Sequence, residues 1–236
     1  MAVFVFGFLL VGIERLMHSK RWPGLNPLRR QWHFWTPKVK DYVRSAPGTF
    51  TYLFILVITT WVLQTSSQRM ADQLLLARST NLRHLVSDPM RVLFGSAFWV
   101  SDTSELFLSV VLFALFVANV ERWLGTGRTI VLFFVGHVGA TVLVALWLWA
   151  SLNFTIVRSP ITNAQDVGSS YGFAALAGIL VYRIARPKRW VYLAGIIAVA
   201  GINLAIEPSF TNWGHLMALA IGLTSYFIIP RRARIT

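Results

Sequence analysis

The feature that most constrains this chain is the recurrence of long apolar runs almost free of charge, at residues 49–65, 105–120, 129–152, 169–182, 190–206 and 213–229. A helix rises 1.5 Å per residue, so about 20 apolar residues cross a hydrocarbon layer about 30 Å thick. The runs therefore predict an all-α polytopic membrane protein with six spans. The composition agrees, with 56% hydrophobic and only 13% charged residues and a positive mean hydropathy.

Charge assigns sides to the connections. Arg122 and Arg128 lie between the second and third runs, Arg183, Arg186, Lys188 and Arg189 between the fourth and fifth, and Arg231, Arg232 and Arg234 after the sixth. Short basic connections stay in the cytoplasm. The connection after the third run sets Arg158 against Asp166, and the one after the fifth has only Glu207, as expected of the far side. Both termini are then expected in the cytoplasm, with the chain in the plasma (inner) membrane. The long stretch from Ser66 to Ser104 carries Arg69, Arg78, Arg83 and Arg91, but long connections follow the rule poorly. Its length predicts a functional role or secondary structure of its own, with Met90 to Val100 apolar enough to dip into the interface.

Three stretches emerge from this pattern: an apolar and basic segment over 1–48, a membrane domain over 49–230 and a basic tail over 231–236. Residues Ala2 to Ile13 are stopped by Glu14 and Arg15 after about 18 Å of helix, which is short of a span. They lack the basic start and small-residue cleavage site of a secretory signal, so a short interfacial or re-entrant helix is expected. From Arg15 to Arg44, lysines and arginines mix with Trp22, Trp32, His33 and Trp35, a composition suited to a surface-lying segment that grips anionic lipid headgroups. The net charge of +13 does not point to nucleic acid, because no basic stripe is interleaved with exposed aromatics on a soluble domain. Without cysteine, disulfides, thiolate metal sites and cysteine nucleophiles are excluded.

The candidate chemistry starts at Gly168-Ser169-Ser170-Tyr171-Gly172. A Gly-x-Ser-x-Gly string also marks the nucleophile turn of soluble hydrolases, but that turn needs a preceding strand, and here the flanks are apolar runs. With the topology above, the even runs enter the membrane from the outer face. Glu105 and Ser109, Ser170, and His215 therefore share one depth. Ser170, Ala174 and Gly178 lie on one helix face, and His215, Ala218 and Gly222 on another; such small faces let helices approach closely in lipid. A serine and a histidine heading two such faces are expected within hydrogen-bond reach, as nucleophile and base require. Singly, each has a plainer reading, the serine as a helix cap and the histidine as an interfacial residue. His137 within the third run reads as a buried histidine bonded to a neighbouring helix, or as a second polar group behind the pair. Asn119 and Asn203 read as interhelical hydrogen-bonders.

These residues carry a family likeness. The span from Thr49 to Pro230 resembles the rhomboid intramembrane serine proteases: Gly168-Ser169-Ser170 matches the family's Gly-x-Ser, with Tyr171 where glycine is usual. His215 and Gly222 match its sixth-span motif, with Ala218 for the first glycine and with Asn212 and Gly214 before the histidine. Glu121 through Arg128 looks like the turn after its second span, and Met90-Arg91 followed by Phe98 is similar to its first loop. The resemblance implies a six-transmembrane-helix rhomboid-like bundle in which Ser170 attacks and His215 moves the proton, with no cofactor and no metal. At the head of the second span the family's oxyanion donors are replaced by Glu105 and Ser109. A neutral Glu105 acid donates a hydrogen bond, with Ser109 on the same face and Asn212 and His137 as further polar candidates around it; alternatively, Glu105 merely sits at a helix start favoured by the dipole.

Two functions stay open on this reading. One is an intramembrane serine endopeptidase acting on transmembrane protein substrates. The other is a non-proteolytic rhomboid-like protein that binds transmembrane clients as chaperone, adaptor or complex subunit. Other classes lack their signatures: there is no His-Glu-x-x-His zinc motif, no pair of intramembrane aspartates and no duplicated pair of interrupted helices.

Overall fold

The computed structural model describes residues 15, 26–79, 88–153 and 168–230. The expectations for Ala2 to Ile13, for the connection carrying Arg158 and Asp166, and for the tail after Pro230 lie outside the described residues. Within them the chain is helical and has no strand. This follows from the apolar runs, since in a lipid environment a single segment satisfies its backbone only as a helix.

The chain divides into two compact units, Met1–Ser45 and Ala46–Thr236. In the first, α1 spans Asn26–Arg44 and carries Pro37 inside it. Its Leu28, Phe34, Trp35 and Val39 are exposed, and the Lys38 ammonium stands 3.4 Å from the centroid of the Phe34 ring.

In the second unit, α2 is Pro47–Thr65, α3 is Gln68–Arg78 and α4 is Pro89–Gly95, which continues into a tight turn over Ser96–Phe98. Next come α5 (Thr103–Leu124), α6 (Thr126–Asn153), α7 (Ser170–Leu180), α8 (Lys188–Ile206) and α9 (Phe210–Thr224). Four of these, α2, α5, α6 and α8, are long and apolar enough to cross a membrane. The fourth and sixth apolar runs fold into shorter helices of 11 and 15 residues, each ending in a tighter turn, Val181–Arg183 and Ser225–Ile228. For α7 the reason is position. Its buried residues, from Tyr171 to Leu180, lie on every side of the helix, so its apolarity matches surrounding protein rather than lipid. By contrast, α8 has no buried residue, and its Val191 and Ile206 are 75% and 79% exposed.

One carboxylate fastens the start of α2. Ala46 at its N-cap position offers no side-chain acceptor, and Pro47 opens the helix. Glu121, near the end of α5, takes over that role. Its Oε1 accepts from the Gly48 amide at 2.8 Å and the Thr126 hydroxyl at 2.7 Å. Its Oε2 accepts from the Thr49 amide at 2.7 Å and the Thr49 hydroxyl at 2.6 Å. A negative charge at a helix N-terminus is favoured by both the free amides and the dipole. Gly125, at φ +86°, makes the turn into α6 that brings Thr126 back to this carboxylate.

Below this clamp, Tyr52 of α2 stacks on Phe113 of α5, with centroids 5.3 Å apart and planes 12° apart, and meets Phe133 of α6 at 5.2 Å. Phe113 opens a widened π turn, Phe113–Val117, inside α5. That turn puts Phe113 and Val117 into the core. The part of the first connection from α4 onward packs on the core: Val92, Ser96, Ala97 and Val100 are buried, and the Tyr52 hydroxyl donates to the Ala97 carbonyl.

Glu121→Gln keeps the shape but turns one acceptor oxygen into a donor facing other donors. The expected result is a loss of about 1.5–3 kcal/mol, the range for hydrogen bonds to a charged group. Thermal unfolding of the purified chain in detergent measures it, and an unchanged midpoint would show that the clamp is dispensable.

Candidate active site

Ser170 is the first residue of α7, and the two residues before it set its direction. Gly168 sits at φ +129°, a left-handed conformation that side chains resist. Its amide donates to the Ser96 carbonyl at 3.1 Å, so the docked first connection holds the turn. A β-carbon at Gly168 would stand 3.0 Å from Glu105 Oε1. Ser169 is buried, and its side chain meets the Tyr52 hydroxyl. Ser170, the next residue along, turns the other way and lines a cavity of about 530 Å³.

His215 lines the same cavity from α9. Its Nδ1 lies 3.4 Å from Asn212 Oδ1. The Asn212 amide group is oriented by two further bonds, from Nδ2 to the Glu207 carbonyl at 2.8 Å and to the Asn203 carbonyl at 3.3 Å. With Nδ2 so engaged, Oδ1 faces the histidine as an acceptor, and Nδ1 carries the ring hydrogen. Nε2 is then the basic nitrogen. Among the described residues no hydrogen bond joins Ser170 to His215; the two side chains share the cavity without closing onto each other. The Tyr171 ring lies edge-on to His215, with centroids 5.2 Å apart and planes at 76°.

The walls are apolar. Leu108, Leu112 and Phe116 of α5 face residues of α8 such as Ile196 and Val199. At the other end, the Tyr192 hydroxyl of α8 donates to the Ala177 carbonyl at 3.0 Å.

The remaining candidates stand elsewhere. Glu105 occupies the first turn of α5, where the Asp102 side chain caps the helix by accepting from the Glu105 amide at 2.9 Å. Hydrogen bonds from the Ser104 hydroxyl and then the Glu105 amide hold the Asp102 carboxyl below the usual carboxylate range. Glu105 Oε2 accepts from the Ser101 amide at 2.7 Å. That is the geometry of a helix-start carboxylate. Ser109 is buried, and neither it nor Glu105 is among the residues lining the cavity. His137 is buried behind the site, with Nε2 3.0 Å from Ser96 Oγ and its ring parallel to Phe133 at 6.2 Å. Its hydrogen-bond partner Ser96 opens the helical turn that continues α4. Asn119 bonds the Leu115 carbonyl of its own helix at 2.6 Å, and Asn203 takes part in the α8–α9 contact through its backbone carbonyl.

Three residues of the site carried no sequence signal for their role. Ser96 bonds both His137 and Gly168 from a connection, where no periodicity marks it. Tyr52 looks like any aromatic of an apolar run. Tyr171 stands where the family resemblance has glycine, and its ring fills the space that the absence of a side chain at Gly214 leaves.

Helix packing sets the spacing of Ser170 and His215. A methyl group at Gly222 would fall on the Ala175 carbonyl, and one at Gly178 would stand 2.7 Å from the Leu219 carbonyl. The small faces do meet, although Ala175 makes the contact, while Ala174, one residue away and thus about 100° round the helix, lines the cavity. Gly222→Ala is therefore expected to force α7 and α9 apart, lowering stability by about 1–3 kcal/mol as overpacking does. Gly195→Ala, which meets open space on α8, serves as the neutral control in the same thermal unfolding measurement.

No curated protein and no solved structure shows a significant match to this chain. A comparison with protein families does: residues 41–235 match the family described as rhomboid-like protein. Since that match takes in the whole helical unit built around Ser170 and His215, the chain belongs to the rhomboid-like family.

Proposed function

We propose that this chain is an intramembrane serine endopeptidase acting on transmembrane segments, with Ser170 as nucleophile and His215 as general base. The observation that carries this reading is the shared cavity: Ser170 and His215 both line it, and Asn212 holds Nδ1 so that Nε2 is the nitrogen free to accept a proton. As His215 Nε2 takes the hydroxyl proton, Ser170 Oγ attacks the carbonyl carbon of the scissile amide. The tetrahedral intermediate collapses with loss of the amine, which receives that proton, and a water molecule then releases the acyl group from Ser170 by the same route. Lateral access lies where α8 faces α5, because apolar side chains of both helices line the cavity and α8 buries none of its own residues.

On this reading α7 and α9 complete a six-span bundle with α2, α5, α6 and α8, and both termini lie in the cytoplasm of the plasma membrane. Anionic lipid headgroups are the partners of the basic segment before residue 49. Reporter fusions at Arg186 and Asp166 are expected to fall on opposite sides of the membrane; the same compartment for both would break this topology.

The second reading is a rhomboid-like protein that binds transmembrane clients without cleaving them. Two observations favour it: Ser170 and His215 are not hydrogen-bonded to each other, and Glu105 is engaged as a helix-start acceptor rather than aimed into the cavity. An alkyl fluorophosphonate separates the two. The proteolytic reading expects labelling of the native chain, none of Ser170→Ala, and at least about a 10²-fold slower reaction of His215→Ala, the usual size of a general-base effect. Absence of labelling at any pH would leave the client-binding reading.

A further inference from the structure

The cavity holds five polar side chains: Ser170, Tyr192, Asn203, Asn212 and His215. Four of them have a role. The hydroxyl of Ser170 is the proposed nucleophile, and Tyr192 donates to the Ala177 carbonyl. Asn212 donates to two carbonyls and accepts from His215. His215 holds Asn212 with Nδ1 and keeps Nε2 for the proton. Only the side-chain amide of Asn203 makes no hydrogen bond within the described residues.

Asn203 is also held in place. Its backbone carbonyl accepts from Asn212 Nδ2 at 3.3 Å and from the Glu207 amide at 2.9 Å, which ties it to the residue that orients His215. Asn203 is an exposed residue that lines the cavity, so its side-chain amide is open to a segment that enters it. At the same time the site lacks a side-chain donor for the negative charge that grows on the carbonyl oxygen under attack. The side chains that α5 turns to the cavity, Leu108, Leu112 and Phe116, have no hydrogen to donate, and Glu105 is bonded elsewhere.

We propose that Asn203 supplies that donor: its side-chain N–H bonds the carbonyl oxygen of the bound segment as Ser170 attacks, so that α8 contributes a catalytic residue. This rests on the proteolytic reading. The donor moves from the second apolar run, where the family resemblance puts it, to the fifth. A bound segment then completes the site by giving the Asn203 amide its partner.

The test is the second-order rate of labelling by an alkyl fluorophosphonate, whose phosphoryl oxygen occupies the same position, on the full chain in detergent. Asn203→Ala and the similarly sized Asn203→Leu, which has no polar hydrogen to donate, are each expected to label about 10²-fold more slowly, the usual effect of losing one oxyanion donor. Their thermal unfolding midpoints are expected to match the native chain, since the side chain makes no bond within it. If Asn203→Ala does not fold, Asn203→Leu carries the measurement. Glu105→Gln and Ser109→Ala are expected to label close to the native rate. Native-rate labelling of the Asn203 variants overturns the proposal while leaving Ser170 and His215 in their roles. A loss in Glu105→Gln or Ser109→Ala with none in Asn203→Leu returns the donor to α5. A native chain that does not label at all removes the proteolytic reading and this assignment with it.

Discussion

The carboxylate of Glu121 is the interaction on which the rest of the arrangement depends. It receives four hydrogen bonds, from Gly48, Thr49 and Thr126, and so joins the first turn of α2 to the turn between α5 and α6. A helix that begins without its own cap needs acceptors for its first amides, and a buried carboxylate needs donors on all its lone pairs. Each requirement satisfies the other. From there the path to the site is short: α2 carries Tyr52, Tyr52 bonds the Ala97 carbonyl, and the adjacent Ser96 bonds both His137 and the amide of Gly168, two residues before Ser170.

The site is rigid on one side and open on the other. Among α6, α7 and α9, glycines let backbones approach so closely that a single methyl group would collide, as at Gly136, Gly178 and Gly222. In lipid, where no hydrophobic force draws helices together, such close contact and the dispersion it brings are what hold them. The outer helix α8 has no such contact. Its Gly195 and Gly201 meet nothing, and the bonds of Tyr192 to Ala177 and of Asn212 to Asn203 tether it. Ser170 and His215 thus sit on the fixed side of a cavity whose other wall is held by few bonds.

Polarity inside that cavity is sparse, which makes each polar group interpretable. In an apolar surrounding a hydrogen bond is worth more and an unmade one costs more than in water. The bonds of Asn212 therefore decide which nitrogen of His215 is basic. The rhomboid-like resemblance points to Glu105 and Ser109, but the α5 residues that line the cavity are Leu108, Leu112 and Phe116, one to three turns further along, while Glu105 stays at the capped start of the helix.

The amino-acid sequence by itself determined the all-helical membrane class, the family, and the presence of Ser170 and His215 on two helices with small faces. Those properties are local: apolar runs, glycine spacing and short motifs follow from residues close together in the chain. It left undecided how far each apolar run extends as helix, because α7 is short for being enclosed by protein, a fact of its neighbours. It also gave no sign that Ser96 anchors the turn before Ser170 or that Asn203 faces His215's partner. Those pairings join residues tens of positions apart, and only the tertiary structure brings them together, since a hydrogen bond depends on distance in space and carries no periodicity along the chain.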